Sequence, residues 1–411
     1  MGVRMSDLKK TLQAIEDYRS GKMIIVSDDK ERENEGDFII AAEKASPDDI
    51  NFMMKYGRGL ICMPIESAIA KRLQLHPMVS TNTSLHKTKF TVSIDSKENV
   101  TTGISAKDRW QTVQVVLDSQ SRPSDLARPG HLFPLVGEKG GVLRRAGHTE
   151  ACIDLARLTG LTPAGLLVEI VDEDGTMATP TRLKQIAKKH NLSLITIADL
   201  IEYRRKNDKL IEEIISVSLP SKYGAFNIRL FEDVIYGDHH IALIKGDINV
   251  DDEVLVRVHS QCITGDIFGS KRCDCGDQLV LSLQKIEESK KGVLVYLRQE
   301  GRGIGLKNKL FAYQLQDEGM DTVEANHKLG FPADLREYGI GAQILRECNV
   351  RRMRLLTNNP KKLVGLEGYN LEIIGREPIH TPVTAENKKY LLTKKNKLGH
   401  FINIENIQDE K

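Results

Sequence analysis

Midway along the chain, Arg204-Arg205-Lys206-Asn207-Asp208-Lys209 offers six consecutive polar or charged residues with no apolar side chain to bury. A chain of 411 residues is longer than one hydrophobic core serves well, and this stretch splits it into halves of ordinary domain size. Neither half repeats the other, so the chain is no solenoid or propeller. We expect a domain over residues 1–205 and a second over 206–411, joined by a short charged linker.

Hydrophobic periodicity gives each half a mixed character. Leu8, Leu12 and Ile15 repeat at helical spacing, and Met23-Ile24-Ile25-Val26 reads as a strand that runs into an acidic turn. Helix signals end at His190 with Asn191 as C-cap; Leu192 to Ile197 then predicts a strand and Ala198 to Tyr203 a helix. In the second half, Ile214–Ser218, Ala225–Leu230 and Gly292–Leu297 are strand-like. Arg354-Leu355-Leu356-Thr357-Asn358-Asn359-Pro360 reads as strand, cap and helix start. The expected fold class is α/β and α+β, two layered domains with mixed sheets.

Lys and Arg total 59 against 57 Asp and Glu. That near balance, with aromatics at 5% and no basic stripe, argues against a nucleic-acid binder. No apolar run reaches the roughly 20 residues that cross a bilayer, and the first residues lack a signal-peptide core. Three of the six cysteines fall between Cys262 and Cys275, a clustering that points to metal or catalysis before disulfides. We expect a cytoplasmic protein with no membrane or nucleic-acid partner.

Arg32-Glu33-Asn34-Glu35-Gly36-Asp37 sets three carboxylates within five residues directly after a strand. Two readings stand: a solvated acidic turn, or a site where a cation or a tuned proton offsets the repulsion. Arg144-Arg145-Ala146-Gly147-His148-Thr149-Glu150 joins guanidinium groups, a glycine that lets ligand approach backbone amides, and an imidazole. Carboxylates with one His and no nearby Cys favour magnesium or manganese over zinc. Arg128-Pro129-Gly130-His131 adds a further His, structural or functional.

These segments, with Thr102-Gly103-Ile104-Ser105-Ala106 and the continuation Leu132-Phe133-Pro134-Leu135, resemble 3,4-dihydroxy-2-butanone 4-phosphate synthase over nearly all of the first 203 residues. The resemblance implies conversion of D-ribulose 5-phosphate to the butanone phosphate plus formate. It implies that Glu33 and His148 hold Mg2+ or Mn2+ and that His131 and Glu169 are essential to the chemistry. Substrate contacts are implied for Arg32, Glu33, Asp37, Arg145, Ala146, Gly147, His148, Thr149 and Glu169. Enediol formation, a skeletal shift and loss of one carbon suit a polarising cation beside proton-shuttling side chains. Two departures stand out: no Glu lies near Ser80, where the family usually has one, and Glu31 replaces a commoner Asp.

In the second half, Cys262-Ile263-Thr264-Gly265-Asp266 and Arg272-Cys273-Asp274-Cys275-Gly276 supply three thiols with no fourth Cys or His close by in sequence. Buried free thiols are one reading; the other is a catalytic zinc, which keeps a coordination position for water. Arg298-Gln299-Glu300-Gly301-Arg302-Gly303-Ile304-Gly305 follows a strand and suits a phosphate-wrapping loop, although it is no Walker A sequence. Asp334-Leu335-Arg336 and Thr357 to Lys362 add an acid, a guanidinium and lysines, the last either a phosphate contact or a solvated helix start.

Together these resemble GTP cyclohydrolase II over roughly residues 206 to 400. The resemblance implies a Zn2+ ion on Cys262, Cys273 and Cys275. GTP contacts are implied at Arg257, Val258, His259, Ser260, Gln261, Gln278, Glu300, Gly301, Arg302, Thr322, Thr357 and Lys362. Tyr313 would lie near the ring, Asp334 would accept a proton, and Arg336 would act as nucleophile. A phosphate clamp is the plain alternative for Arg336, because guanidinium is almost always protonated. The outcome is imidazole opening with release of formate and pyrophosphate. Gln261 stands where the family usually has Glu, one charge fewer beside the metal. The resemblance implies a homodimer for both halves. A rival reading, one catalytic half beside a GTP-binding regulatory half, draws on Gln261 and the Ser80 region alone.

Overall fold

The computed structural model describes residues 5–29, 32–332, 338–359 and 369–401. By contact density the chain divides into two compact units, residues 1–207 and 208–411.

The first unit is built on a seven-stranded mixed sheet. Its strands are β1 (Ile24–Ser27), β2 (Gly36–Ala41), β3 (Cys62–Ile65), β4 (Ile94–Ser96), β5 (Leu126–Val136), β6 (Gly165–Glu169) and β7 (Leu194–Thr196). Their order is β4-β5-β3-β6-β2-β1-β7. β1, β2 and β3 show no polar/apolar alternation because both faces of the sheet are covered. Phe38, Ile40, Met63 and Val168 belong to the core on one face; Ile39, Ala41, Cys62 and Leu167 belong to the core on the other. Helices Met5–Arg19 and His148–Leu158 press on the second face: Tyr18 is fully buried and its hydroxyl donates to the Cys152 carbonyl, 3.1 Å away. β1 and β2 are antiparallel, with Val26 opposite Asp37. The acidic turn is their connection.

The second unit also has seven strands: β8 (Ile211–Ser221), β9 (Gly224–Asp233), β10 (His239–Lys245), β11 (Glu253–Ser260), β12 (Gly292–Leu297), β13 (Arg352–Leu356) and β14 (Glu372–Glu377). The order is β14-β13-β11-β12-β10-β9-β8. β8, β9, β10 and β12 pair antiparallel, while β12, β11, β13 and β14 run parallel. Parallel strands deliver their C-terminal loops to one edge of the sheet, where open α/β sheets place ligands.

The boundary between the two units falls within the charged stretch at 204–209, after Asn207, but the first part of that stretch is helix and not loop. Helix Ile197–Asn207 continues into it. Arg204 donates to buried Asp154 (2.7 Å) and to the Gly140 carbonyl (2.8 Å), and Lys206 pairs with Glu202 one turn back (3.0 Å). These partners supply the stabilisation that an apolar face would otherwise give. Asn191 caps its helix in the left-handed conformation, φ 53°, as expected. The predicted helix after Asn359 lies outside the described residues.

Candidate active sites

The N-terminal cluster assembles where three elements end. Asp28, at the start of the β1–β2 connection, folds that loop around its own carboxylate: it accepts from the backbone N–H groups of Glu33 (3.1 Å) and Glu35 (2.9 Å) and from the Arg32 guanidinium (2.9 Å). Glu33 therefore points toward His148, the first residue of helix His148–Leu158. His148 Nδ1 lies 3.7 Å from Glu33 and 3.9 Å from Asp37. Ligand atoms of Asp28, Glu33 and His148 all fall within 4.8 Å of one another, close enough for one cation to touch all three. Asp37 and Glu169 stand opposite each other on β2 and β6. Glu169 is fixed by accepting from the Leu60 N–H at 2.9 Å.

The electrostatics are those of a crowded acidic site. Burial, together with Glu169, Glu35 and Glu33, pushes the Asp37 carboxyl up to about 7 although His148 opposes the shift. Burial works against the charge on Glu33, but His148 and Arg32 outweigh it and hold its pKa at about 2. Burial likewise opposes protonation of His148, and Asp37 and Glu33 raise its pKa all the same. His148 Nε2 and Asp37 Oδ1 are buried with no hydrogen-bond partner. Unmet buried acceptors cost free energy unless something binds them, and two carboxylates with an imidazole are the donors a hard divalent cation takes.

Around this cluster Arg145 is anchored by Glu150 (2.6 Å), Thr88 Oγ1 (2.9 Å) and the His86 carbonyl (3.1 Å). Ala146 and Gly147 then lead into the helix, where Thr149 is buried. A Cβ on Gly147 would sit 2.4 Å from the Arg145 guanidinium and 2.7 Å from the Glu150 carboxylate, so a side chain there would displace that ion pair. His131 has a different partner: its Nδ1 lies 2.7 Å from Asp95 Oδ2, and its backbone N–H donates to the other oxygen at 2.9 Å. Asp95 reaches it through the β4–β5 pairing. Sequence reasoning missed Asp28 as a third donor and Asp95 as the orienting carboxylate.

In the second unit the C-terminal edges of β11, β12 and β13 open into a cavity of about 1070 Å³, continuous with solvent. Cys262, Cys273 and Cys275 sit in its wall, with Cys262 and Cys273 Sγ atoms 3.7 Å apart. A disulfide would bring them to about 2 Å, whereas a tetrahedral ion with metal–sulfur bonds of about 2.3 Å spaces its sulfurs by roughly 3.8 Å. All three Sγ atoms lie within 4.8 Å of one another. A Cβ on Gly265 would come 3.0 Å from Cys273 Sγ and 3.2 Å from Cys262 Sγ, so any side chain there would press on the sulfurs.

Hydrogen bonds from Cys273 and Cys275 and the ammonium of Lys309 draw the Cys262 thiol far below its usual range. The same Cys262 contact pushes Cys273 up to about 11, and Cys275 rises too. Protons alone thus let one sulfur of the three ionise; a divalent cation would take their place on the others. Lys309 binds Cys262 Sγ (3.1 Å), Thr264 Oγ1 (2.9 Å) and Glu300 (2.7 Å) at once. Burial opposes its charge, and Cys262 and Glu300 restore it. Asp266 anchors the loop from behind, accepting from the Cys262 N–H (2.8 Å) and the Tyr296 hydroxyl (2.7 Å) and lying 3.1 Å from His259 Nε2.

Of the predicted nucleotide contacts, Arg257, His259, Ser260, Gln261, Gln278, Glu300, Gly301, Arg302, Thr322 and Thr357 line the cavity, as does Tyr313. Val258 does not line it: alternation along β11 turns its fully buried side chain to the opposite face, toward Gly341. Asp334, Arg336 and Lys362 lie outside the described residues. Lys309, Tyr390, Lys394 and His400 also line the cavity and were not singled out from sequence. Among the described residues no helix is long and apolar enough to cross a membrane.

The family model of 3,4-dihydroxy-2-butanone 4-phosphate synthase matches residues 12–203, and that of GTP cyclohydrolase II matches residues 212–378. Riboflavin biosynthesis proteins RibBA from Bacillus cereus (strain G9842) and Bacillus cytotoxicus are each 57% identical over 392 residues, 95% of this chain and 98% of theirs. Among solved structures, RibBX from A. baumannii, described as a two-domain 3,4-dihydroxy-2-butanone 4-phosphate synthase, is 36% identical with a TM-score of 0.65. That match covers 90% of this chain and 99% of the other. Two unlike donor clusters on one polypeptide, each inside the segment its own family model matches, and near-complete alignment with RibBA relatives lead to one conclusion: the chain belongs to the RibBA family of bifunctional riboflavin-biosynthesis enzymes, with 3,4-dihydroxy-2-butanone 4-phosphate synthase and GTP cyclohydrolase II activities.

Proposed function

We propose that the synthase reaction takes place at the Asp28–Glu33–His148 cluster and GTP ring opening at the three-cysteine cavity, each with its own metal. The observation that supports this most is the division of donor types: oxygen and imidazole in one unit, sulfur in the other.

In the first unit Glu33 and His148, with Asp28 beside them, would hold Mg2+ or Mn2+, which when bound would supply positive charge beside the carbonyl end of ribulose 5-phosphate. Arg145 and the amides leading into helix His148–Leu158 bind the phosphate end of the sugar, using the positive end of the helix dipole. Asp37 and Glu169, paired across β2 and β6, hold and move protons at the carbons that rearrange. His131, oriented by Asp95, exchanges protons at the far side of the substrate. Formate and the four-carbon phosphate leave.

In the second unit Cys262, Cys273 and Cys275 would hold Zn2+, which when bound would supply Lewis-acid activation of a water in the cavity. Glu300 accepts from the Ile263 N–H at 2.6 Å and holds the Cys262 loop against the Glu300–Gly303 turn, whose amides and Arg302 meet the triphosphate. Tyr313, its hydroxyl 3.1 Å from Thr264, faces the ring beside the sulfurs. Asp334 takes the proton that readies Arg336 for attack, with release of pyrophosphate; a clamp on the phosphates is the other role open to Arg336. Gln261 keeps its place in the wall without the charge of Glu, and the ligand set remains complete.

We further propose a cytoplasmic homodimer. All six cysteines are free thiols, as a reducing compartment keeps them. Edge strand β8 exposes Ile214, Ile215 and Val217, each about half accessible, a surface that a second copy would cover. Sedimentation at micromolar concentration tests this, and a monomer would refute it.

The deciding experiment measures formate release separately from ribulose 5-phosphate and from GTP in Glu33→Ala and Cys273→Ser. We expect each substitution to remove one activity by about 10³-fold or more and leave the other at the parent level. Loss of both from one substitution, or a parent enzyme that never opens GTP, would overturn the assignment; the second result would favour a GTP-binding regulatory half.

A further inference from the structure

The GTP cyclohydrolase II family model ends at residue 378, yet the cavity wall continues beyond it with Tyr390, Lys394, Leu398 and His400. Helix Lys388–Asn396 is pinned by fully packed Leu391, and the chain after it returns to the sheet, where the Phe401 N–H donates to the Asn358 carbonyl at 2.8 Å. Asn358 itself lines the cavity.

From this helix Lys394 reaches inward and is 7% exposed. Its Nζ lies 2.6 Å from Asp274 Oδ1, and Asp274 is 2% exposed and sits between Cys273 and Cys275. The other Asp274 oxygen accepts from Gln278 Nε2 at 2.6 Å. Gln278 Oε1 then accepts from the Arg257 guanidinium at 2.7 Å, and Arg257 also donates to the Leu356 carbonyl at 3.0 Å. One helix turn before Lys394, the Tyr390 ring takes Lys394 Nζ at 4.8 Å on its face and Arg302 at 5.9 Å. A buried carboxylate that loses a cationic bond partner is left poorly compensated, and here that charge would sit on the turn that carries two sulfurs.

We propose that helix Lys388–Asn396 completes the GTP site, with Lys394 as a positioning residue that acts through Asp274 and Gln278 to fix the Cys273–Cys275 turn and the Arg257 guanidinium. This rests on the placement of GTP in the cysteine cavity. The ammonium neutralises Asp274, Asp274 holds the amide of Gln278 in one orientation, and that orientation aims its oxygen at Arg257. Through Asp274 and Gln278 the helix thereby couples metal retention to nucleotide binding.

The test uses the full-length enzyme and Lys394→Met, Lys394→Arg and Asp274→Asn. Three quantities are read: KM and kcat for GTP by formate release, the rate of zinc loss to a chromogenic chelator, and synthase turnover as the folding control. Lys394→Met is expected to raise KM for GTP and to speed zinc loss, each by about tenfold, with synthase turnover unchanged. Lys394→Arg restores most of both. Adding Lys394→Met to Asp274→Asn has little further effect, since the pair is already broken. A helix that merely adds stability would lower the unfolding temperature and leave KM and zinc loss alone; that result overturns the proposal. If Lys394→Met does not fold, Asp274→Asn is read in its place, and parental values there overturn it equally. A parent enzyme that releases no formate from GTP would count against the site assignment, and zinc loss would still decide the role of Lys394.

Discussion

The two candidate centres solve the same problem, concentrating negative donors without tearing the fold apart, by opposite means. In the first unit the carboxylates are spread over a loop and two strands, and the repulsion is met by neighbouring groups: Arg32 beside Asp28 and Glu33, and the His148 imidazole 3.7 Å from Glu33. In the second, three thiols converge on one point and the buried ammonium of Lys309 bonds one of them, Cys262, at 3.1 Å. The oxygen site therefore stays partly open and polar, suited to a cation that keeps waters and exchanges. The sulfur site is packed and anchored from behind by Asp266, suited to a resident ion.

Chelation is the broadest way to break that contrast. A mild oxygen-donor chelator is expected to lower synthase turnover by on the order of 100-fold, reversibly on adding Mg2+ or Mn2+, while GTP ring opening persists over the same minutes. Equal loss of both activities would erase the distinction. A finer probe compares the residues that orient each site. Asp95→Asn keeps the shape beside His131 but not the charge, and synthase kcat should fall on the order of 10²-fold with an altered pH profile; an unchanged kcat would remove Asp95 from the account. Lys309→Met should speed zinc loss about tenfold and spare the synthase, whereas unaltered zinc retention would mean that the thiols need no ammonium.

The smallest effect concerns stability. Burial lowers the His240 pKa from 6.5 to about 4, and its Nδ1 accepts from the Arg298 N–H at 3.1 Å, so the folded ring is neutral. Between these values the unfolded chain binds the extra proton, so stability is full above pH 6.5 and declines as pH falls toward 4. His240→Asn should flatten that decline by at most about 3 kcal/mol, read as urea unfolding of the second unit at several pH values. An unchanged slope would exclude His240 as its source.

Short-range patterns were the legible part. Cys262 with Cys273 and Cys275, and Glu33 with Asp37, announce themselves because donors cluster within a few residues and the fold need only bend a loop to join them. His148 was legible for its glycine and arginine neighbours. Asp95, Lys309 and Lys394 were not, because their partners lie 36, 47 and 120 residues away and meet them only through strand pairing or helix packing. The charged run at 204–209 misled for the opposite reason: composition alone suggests a loop, while Asp154, distant in sequence, makes Arg204 a helix anchor. β8 runs past the predicted Ile214–Ser218 to Ser221 because an edge strand accommodates Pro220.

Gly265 carries a consequence of its own. It offers no donor atom, yet the sulfurs of Cys273 and Cys262 and the Cβ of Cys275 close around the space where its side chain would be, at 3.0 to 3.2 Å. The cysteine cluster is thus shaped by an excluded volume as well as by its donor atoms, since even one added methyl would press on two of the sulfurs. Tolerance to change at this position should follow that of the cysteines themselves, although no inventory of donor atoms would include it.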